Sequence, residues 1–130
     1  LTAIYMIVDT ITGDIRLSVA GHPPFLLLTK KDVEVMSISS DPPLGIIPVD
    51  YSFSTISLKT GDRLLLLTDG VFEAKNKEGQ RIGFENLVNF IRKHPGEEKL
   101  VEMITDYVDK FSKGMERADD LTIVELRFLK

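Results

Sequence analysis

An α+β fold is predicted by three features of this 130-residue sequence. Short apolar runs separated by turn residues fill the stretch from 2 to 68. Two amphipathic helical patterns follow between 84 and 111, and one more strand-like run closes the chain. Strands gathered ahead of the helices, rather than alternating with them, call for antiparallel sheets with helices packed against them.

Taken in order, residues 2–9 read as a buried strand, and Thr12-Gly13-Asp14 reads as a tight turn. Residues 15–20 alternate apolar and polar, the pattern of a half-buried strand. Gly21-His22-Pro23-Pro24 breaks it. Phe25 to Thr29 and Val33 to Ile38 form a hairpin around Lys30-Lys31-Asp32, an exposed tip. Asp41-Pro42-Pro43-Leu44-Gly45 is a loop, because proline donates no hydrogen bond to a sheet. Tyr51 to Leu58 alternates again, and Thr60-Gly61-Asp62 turns into Arg63 to Thr68. Leu64 to Leu67 are apolar at every position, so this strand is central and covered on both faces.

Beyond Asp69-Gly70 the pattern changes. Asn76 to Gln80 is a polar loop, and Phe84, Leu87, Val88 and Ile91 recur at helical spacing. Pro95-Gly96 ends that helix, which leaves His94 at its C-terminus. A second helix is expected to carry Glu97 and Glu98 in its first turn and Leu100, Ile104, Tyr107, Val108 and Phe111 on its apolar face. Gly114 follows as its terminator. The last strand is expected to face the core with Val124, Leu126 and Phe128.

Composition bounds the function. The chain is 43% hydrophobic and 28% charged, with net charge −4 and a pI near 5.2. That balance argues against nucleic acid as the main partner. No apolar stretch approaches the roughly 18 residues needed to span a bilayer, and no signal peptide is visible. With no cysteine, disulfides and thiolate metal sites are excluded, and a cytoplasmic location is expected. The sequence starts with Leu1 already in a strand pattern, so an excised segment lacking its N-terminal neighbour is expected.

The chemistry concentrates at two acidic sites. If Arg63–Thr68 and the closing strand pair antiparallel, Asp69 meets Asp119 and Asp120 at one sheet edge. Carboxylates gathered there repel one another unless a cation lies among them, and such oxygen donors suit Mg²⁺ or Mn²⁺. Gly70 is expected to turn the backbone sharply behind Asp69 and leave room for a ligand. Glu73 is expected either to hold a metal-bound water or to pair with Lys75 or Lys77. Neighbouring acids on a strand point to opposite faces, so only one of Asp119 and Asp120 enters the site. His22, in a rigid Gly-His-Pro-Pro turn, is read as structural rather than catalytic.

Thr68-Asp69-Gly70-Val71-Phe72-Glu73-Ala74 resembles the Thr-Asp-Gly-Val-x-Glu-Ala signature of bacterial metal-dependent serine/threonine phosphatases. These are of the stage II sporulation protein E and sigma-regulator type, within the protein phosphatase 2C superfamily. Ala20-Gly21-His22-Pro23-Pro24, Pro43-Leu44-Gly45, Gly61-Asp62 and Asp119-Asp120-Leu121-Thr122 match further segments in that family's order. The resemblance implies part of a phosphatase 2C-like β-sandwich of antiparallel sheets flanked by helices. It also implies a two-metal Mn²⁺ or Mg²⁺ centre in which Asp69 and Asp119 are ligands, with Gly70, Glu73 and Asp120 in support. The chemistry implied is hydrolysis by a metal-activated water, without a nucleophilic side chain. The implied substrate is a phosphoserine or phosphothreonine protein, for instance a STAS-type anti-sigma-factor antagonist.

The family's Gly-Asp-x-x-Asp-like and Asp-x-x-Gly-His-Gly-like motifs do not occur in this sequence. Residues 1–130 are therefore read as the C-terminal portion of one phosphatase domain, carrying at most half of a metal shell. The isolated fragment is expected to be inactive and to self-associate through an uncovered sheet edge. The alternative is a non-catalytic, phosphatase-like module that binds a phosphorylated regulator.

Overall fold

A computed structural model describes residues 1–115 and 120–130. Among the described residues, seven strands form two antiparallel sheets. The first sheet contains β1 (Ala3–Val8), β2 (Asp14–Ala20) and β5 (Ser54–Ser57), in the order β1-β2-β5. The second contains β3 (Phe25–Leu28), β4 (Val33–Met36), β6 (Arg63–Leu67) and β7 (Ile123–Arg127), in the order β4-β3-β6-β7. The helices among the described residues are α1 (Asp69–Phe72), α2 (Phe84–Arg92) and α3 (Leu100–Phe111).

The alternation of side chains along each strand builds two cores. Ile15, Leu17 and Val19 of β2 face Phe25, Leu64 and Leu66 across the gap between the sheets. Leu26, Leu28, Leu65 and Leu67 point the other way, onto Leu87, Val88, Ile91, Leu100, Ile104 and Val108 of α2 and α3. The result is three layers, sheet on sheet on helices. β6 is buried on both faces, as its unbroken leucine run predicted, with Leu64, Leu65 and Leu67 fully inaccessible.

Several elements depart from the sequence reading. β1 is an edge strand, not a buried one, and Tyr5 and Ile7 lie exposed on its outer face. β5 is shorter than the alternating run that suggested it. Glu97 and Glu98 precede α3, whose first-turn acid is Glu102. Both are engaged in turn and ion-pair contacts instead: the Glu97 side chain accepts from the Lys99 amide, and Glu98 pairs with Arg127. Val124 is 49% exposed rather than in the core, because β7 is an edge strand. Leu126 and Phe128 do pack between the sheets.

Two glycines fix turns that no other residue suits. Gly13 has φ +82°, and a Cβ there would lie 2.4 Å from the Leu58 carbonyl oxygen. Gly21 has φ +62°, and its Cβ would lie 2.5 Å from Pro43 Cγ. L side chains are disfavoured at such φ, and here the close neighbours add a direct clash.

Candidate functional site

The register of β6 and β7 places the acidic residues. Leu67 lies opposite Ile123. One step further, the Thr68 amide donates to the Thr122 carbonyl at 3.1 Å, and the Thr122 amide donates to Thr68 Oγ1 at 3.0 Å. Thr68 Oγ1 also lies 3.4 Å from the Asp120 carbonyl oxygen. The antiparallel pairing expected from sequence thus brings the residue before Asp69 against the segment that carries Asp120. Asp120 precedes β7 rather than lying in it, so strand alternation does not govern its direction. Asp119 lies outside the described residues.

Asp69 itself differs from expectation. It opens a one-turn helix rather than a tight turn, with Thr68 at the N-cap. Gly70 is helical and is not among the glycines with positive φ, so its role is not to reverse the chain. The Asp69 carboxylate is exposed, and its Oδ1 accepts the Gly70 amide at 3.0 Å. No Lys or Arg among the described residues pairs with it. Glu73, at the C-cap of α1, pairs with Arg81 at 2.9 Å rather than with Lys75 or Lys77. The bridge between Lys75 and Arg81 folds the intervening loop back and delivers that guanidinium.

Asp69 opens onto a cleft of about 420 Å³, lined also by Thr2, Gly21, His22, Pro23, Ser40 and Thr68. His22, read from the sequence as structural, lines the same cleft. Its loop is held rigid by Gly21, whose amide donates to the Asp41 carbonyl at 2.8 Å and lies 3.1 Å from Ser40 Oγ. His22 Nδ1 lies 2.8 Å from the Pro23 carbonyl. A carbonyl only accepts, so Nδ1 carries the proton in that contact, and Nε2 has no partner among the described residues. The local motif held no clue that His22 sits beside Asp69. The other motifs have structural explanations. Asp62 is buried, and its carboxylate accepts the Lys59 amide at 2.9 Å. Asp41 binds both the amide and the hydroxyl of Ser52.

The donors of this cleft are hard oxygens, the chemistry that Mg²⁺ and Mn²⁺ prefer. Among the described residues, however, no three His, Cys, Asp or Glu side chains converge into a complete cation site. The fit to a divalent metal is that of one exposed carboxylate, unpaired with any cation, beside an acidic segment.

The architecture of two facing antiparallel sheets with helices outside is that of protein phosphatase 2C domains. The chain aligns over 98% of its length with the phosphatase 2C domain of SiaA from Pseudomonas aeruginosa, with a TM-score of 0.83 and 19% identity, and covers 51% of that chain. The manganese-presoaked phosphatase domain of the Bacillus subtilis cell-fate determinant SpoIIE gives a TM-score of 0.72 at 22% identity, covering 98% of this chain and 56% of that one. The sequence profile of the stage II sporulation protein E family matches residues 1–129, and the chain belongs to that family. Phosphoserine phosphatase RsbP of Bacillus subtilis is 34% identical over 73 residues, which is 55% of this chain and 18% of RsbP. The chain spans between 13% and 20% of the length of the curated relatives it matches. It is part of a phosphatase domain of the stage II sporulation protein E type. No helix among the described residues is long and apolar enough to cross a membrane.

Proposed function

We propose that these residues form the C-terminal portion of a metal-dependent serine/threonine protein phosphatase domain and supply part of its Mn²⁺ or Mg²⁺ centre. The carrying observation is the β6–β7 register, which sets Asp69 beside the segment bearing Asp120 at the mouth of a cleft. Asp69 and Asp119 are the proposed ligands. Asp120 braces the segment through its backbone contact with Thr68. Gly70 donates its amide to the Asp69 carboxylate, and Glu73, at the C-cap of α1, pairs with Arg81. A divalent centre supplies charge stabilisation to the phosphoryl group and a nucleophile derived from water. The remaining ligands belong to a preceding part of the domain; the chain covers only about half of the solved phosphatase chains.

This chain's own residues bind and orient. The exposed Asp69 carboxylate needs no rearrangement to meet a cation. The rigid Gly21–Pro24 loop presents the His22 ring to the same cleft, within reach of a phosphoryl group or leaving oxygen there. The proposed substrate is a phosphoserine or phosphothreonine protein, with a STAS-type anti-sigma-factor antagonist the first to test, and the proposed setting is the cytoplasm. The uncovered β1 edge with exposed Tyr5 and Ile7 supports self-association of the isolated chain.

The test is Mn²⁺-dependent phosphate release from a phosphoserine protein by the longer polypeptide containing this segment, with Asp69→Asn alongside. We expect turnover by the parent and a loss of more than about 100-fold in the variant, since even the outer partners of metal ligands are worth 10–100-fold. The 130 residues alone should release little phosphate. A folded, metal-loaded parent that releases none would favour the non-catalytic binding module.

A further inference from the structure

A second concavity lies away from the Asp69 cleft, between α2, α3 and the loop that leads into α2. Its volume is about 650 Å³, against 420 Å³ for the cleft. Its wall is aromatic: Phe90 stacks on Tyr107 with centroids 4.0 Å apart and planes 11° from parallel, and Phe111 continues the surface. On α2 and its C-cap the lining residues Asn86, Asn89, Phe90 and Lys93 recur at helical spacing, on a stripe distinct from the core-facing Leu87, Val88 and Ile91.

The groove is lined by cations without acids. The chain carries 20 acids against 16 bases, yet the groove is lined by Arg81 and Lys93 and by no carboxylate. Among the described residues Lys93 has no ion pair, and Arg81 has only Glu73, in a pair whose side chains are 56% and 49% exposed. Such a solvated pair exchanges readily for another carboxylate. The Asn89 amide has no hydrogen-bond partner among the described residues, so it remains available to a peptide backbone.

We propose that this groove docks an acidic peptide segment of a partner protein. An aromatic or aliphatic side chain of the segment packs on the Phe90–Tyr107 wall, and its carboxylates meet Lys93 and Arg81. Apolar anchors flanked by complementary charge are the usual economy of such grooves. The two cations are too few for a nucleic-acid backbone on a chain this acidic. Docking does not depend on the phosphatase reading, but it connects to Asp69. Arg81 holds Glu73 at the end of α1, and Phe72 of α1 meets Phe84 of α2 edge-on at 5.4 Å. A carboxylate that takes Arg81 therefore removes the ion pair of Glu73 at the far end of the helix that begins with Asp69.

The experiment selects phage-displayed random peptides on this chain, then titrates the best soluble peptide into the ¹⁵N-labelled protein. We expect winners with Asp or Glu flanking Phe, Trp or Leu, and amide shifts centred on Asn89, Lys93 and Tyr107. Binding should weaken with salt, and by about tenfold or more in Lys93→Glu, because like charges then face each other. Lys93 is exposed, so that variant should fold, as checked by circular dichroism, and Lys93→Gln should fall between. No enrichment, winners without acidic bias, shifts mapping elsewhere, or indifference to Lys93→Glu would each overturn the proposal. So would an acidic oligonucleotide that displaces the peptide and binds the same residues more tightly.

Discussion

The two ends of the β6–β7 ladder handle acidic residues in opposite ways. At the Arg63 end, Glu125 and Glu98 are paired with cations. Glu125, with its side chain 9% exposed, pairs with Arg63 at 3.3 Å and with Arg127 at 2.8 Å, and Arg127 also pairs with Glu98. The Glu125 and Glu98 contacts hold the Arg127 guanidinium above its ordinary pKa, with Glu125 the larger cause. At the other end, Asp69 stands exposed with no cation from the described residues, beside the Asp120 segment and the His22 loop. One end of the ladder pairs Glu125 and Glu98 with arginines, while the other leaves the exposed Asp69 without a cation among the described residues, and the proposed metal site rests on that difference.

The comparison breaks if the Arg63 end proves dispensable. Glu125→Ala leaves Arg63, whose side chain is 13% exposed, with the Glu97 carbonyl as its one partner among the described residues, so we expect a loss of about 3 kcal/mol in urea unfolding, as for a broken buried pair. A loss under about 0.5 kcal/mol would reduce this network to an ordinary surface cluster. Phosphate release by the parent polypeptide, assayed well below the melting temperature, should be unchanged, because the cluster lies at the opposite end from Asp69.

The cleft end is sharpened by Gly21→Ala. The positive φ and the 2.5 Å approach to Pro43 Cγ should cost about 2 kcal/mol. They should also displace the His22 loop, seen as a shift of the His22 ring signals. A variant that keeps both stability and those signals would mean the loop is not held as described.

The smallest effect lies outside both ends. Asp9 accepts the Thr12 and Ile11 amides, and the Thr12 bond is the main reason its carboxyl sits below the ordinary 3.8. A depressed folded pKa contributes stability above the unfolded value and loses it as pH falls through the folded one. The melting temperature should therefore fall slightly below pH 3.8, and less so in Asp9→Asn. An identical slope in the variant would remove Asp9 from the acid response.

The strong repeating signals were legible in the sequence. The leucine run of β6 has no polar face to lose, and the helical spacing of Phe84, Leu87, Val88 and Ile91 allows one face only. The antiparallel pairing of β6 with β7, entertained in the sequence because it would gather the acids at their ends, is present in the fold. Other features were not legible, for identifiable reasons. α1 spans four residues, too short to show a period, so Asp69-Gly70 read as a turn. Val124 has a core residue's chemistry, but its exposure is set by β7 lying at the sheet edge. His22 reaches the Asp69 cleft only through tertiary packing around Gly21, Ser40 and Pro43, and Glu73 meets Arg81 only because the loop after it folds back. Local sequence carries no record of either meeting.

The most direct measurement is Mn²⁺ titration of the ¹⁵N-labelled chain, read as paramagnetic broadening of amide signals, for the parent sequence and Asp69→Asn. We expect selective broadening around Thr68 to Val71 and Asp120 to Thr122, none around Arg63 and Glu125, and its disappearance in the variant without loss of fold. Broadening that centres on other acids, or survives Asp69→Asn unchanged, would contradict the assignment of this end of the ladder as a metal site.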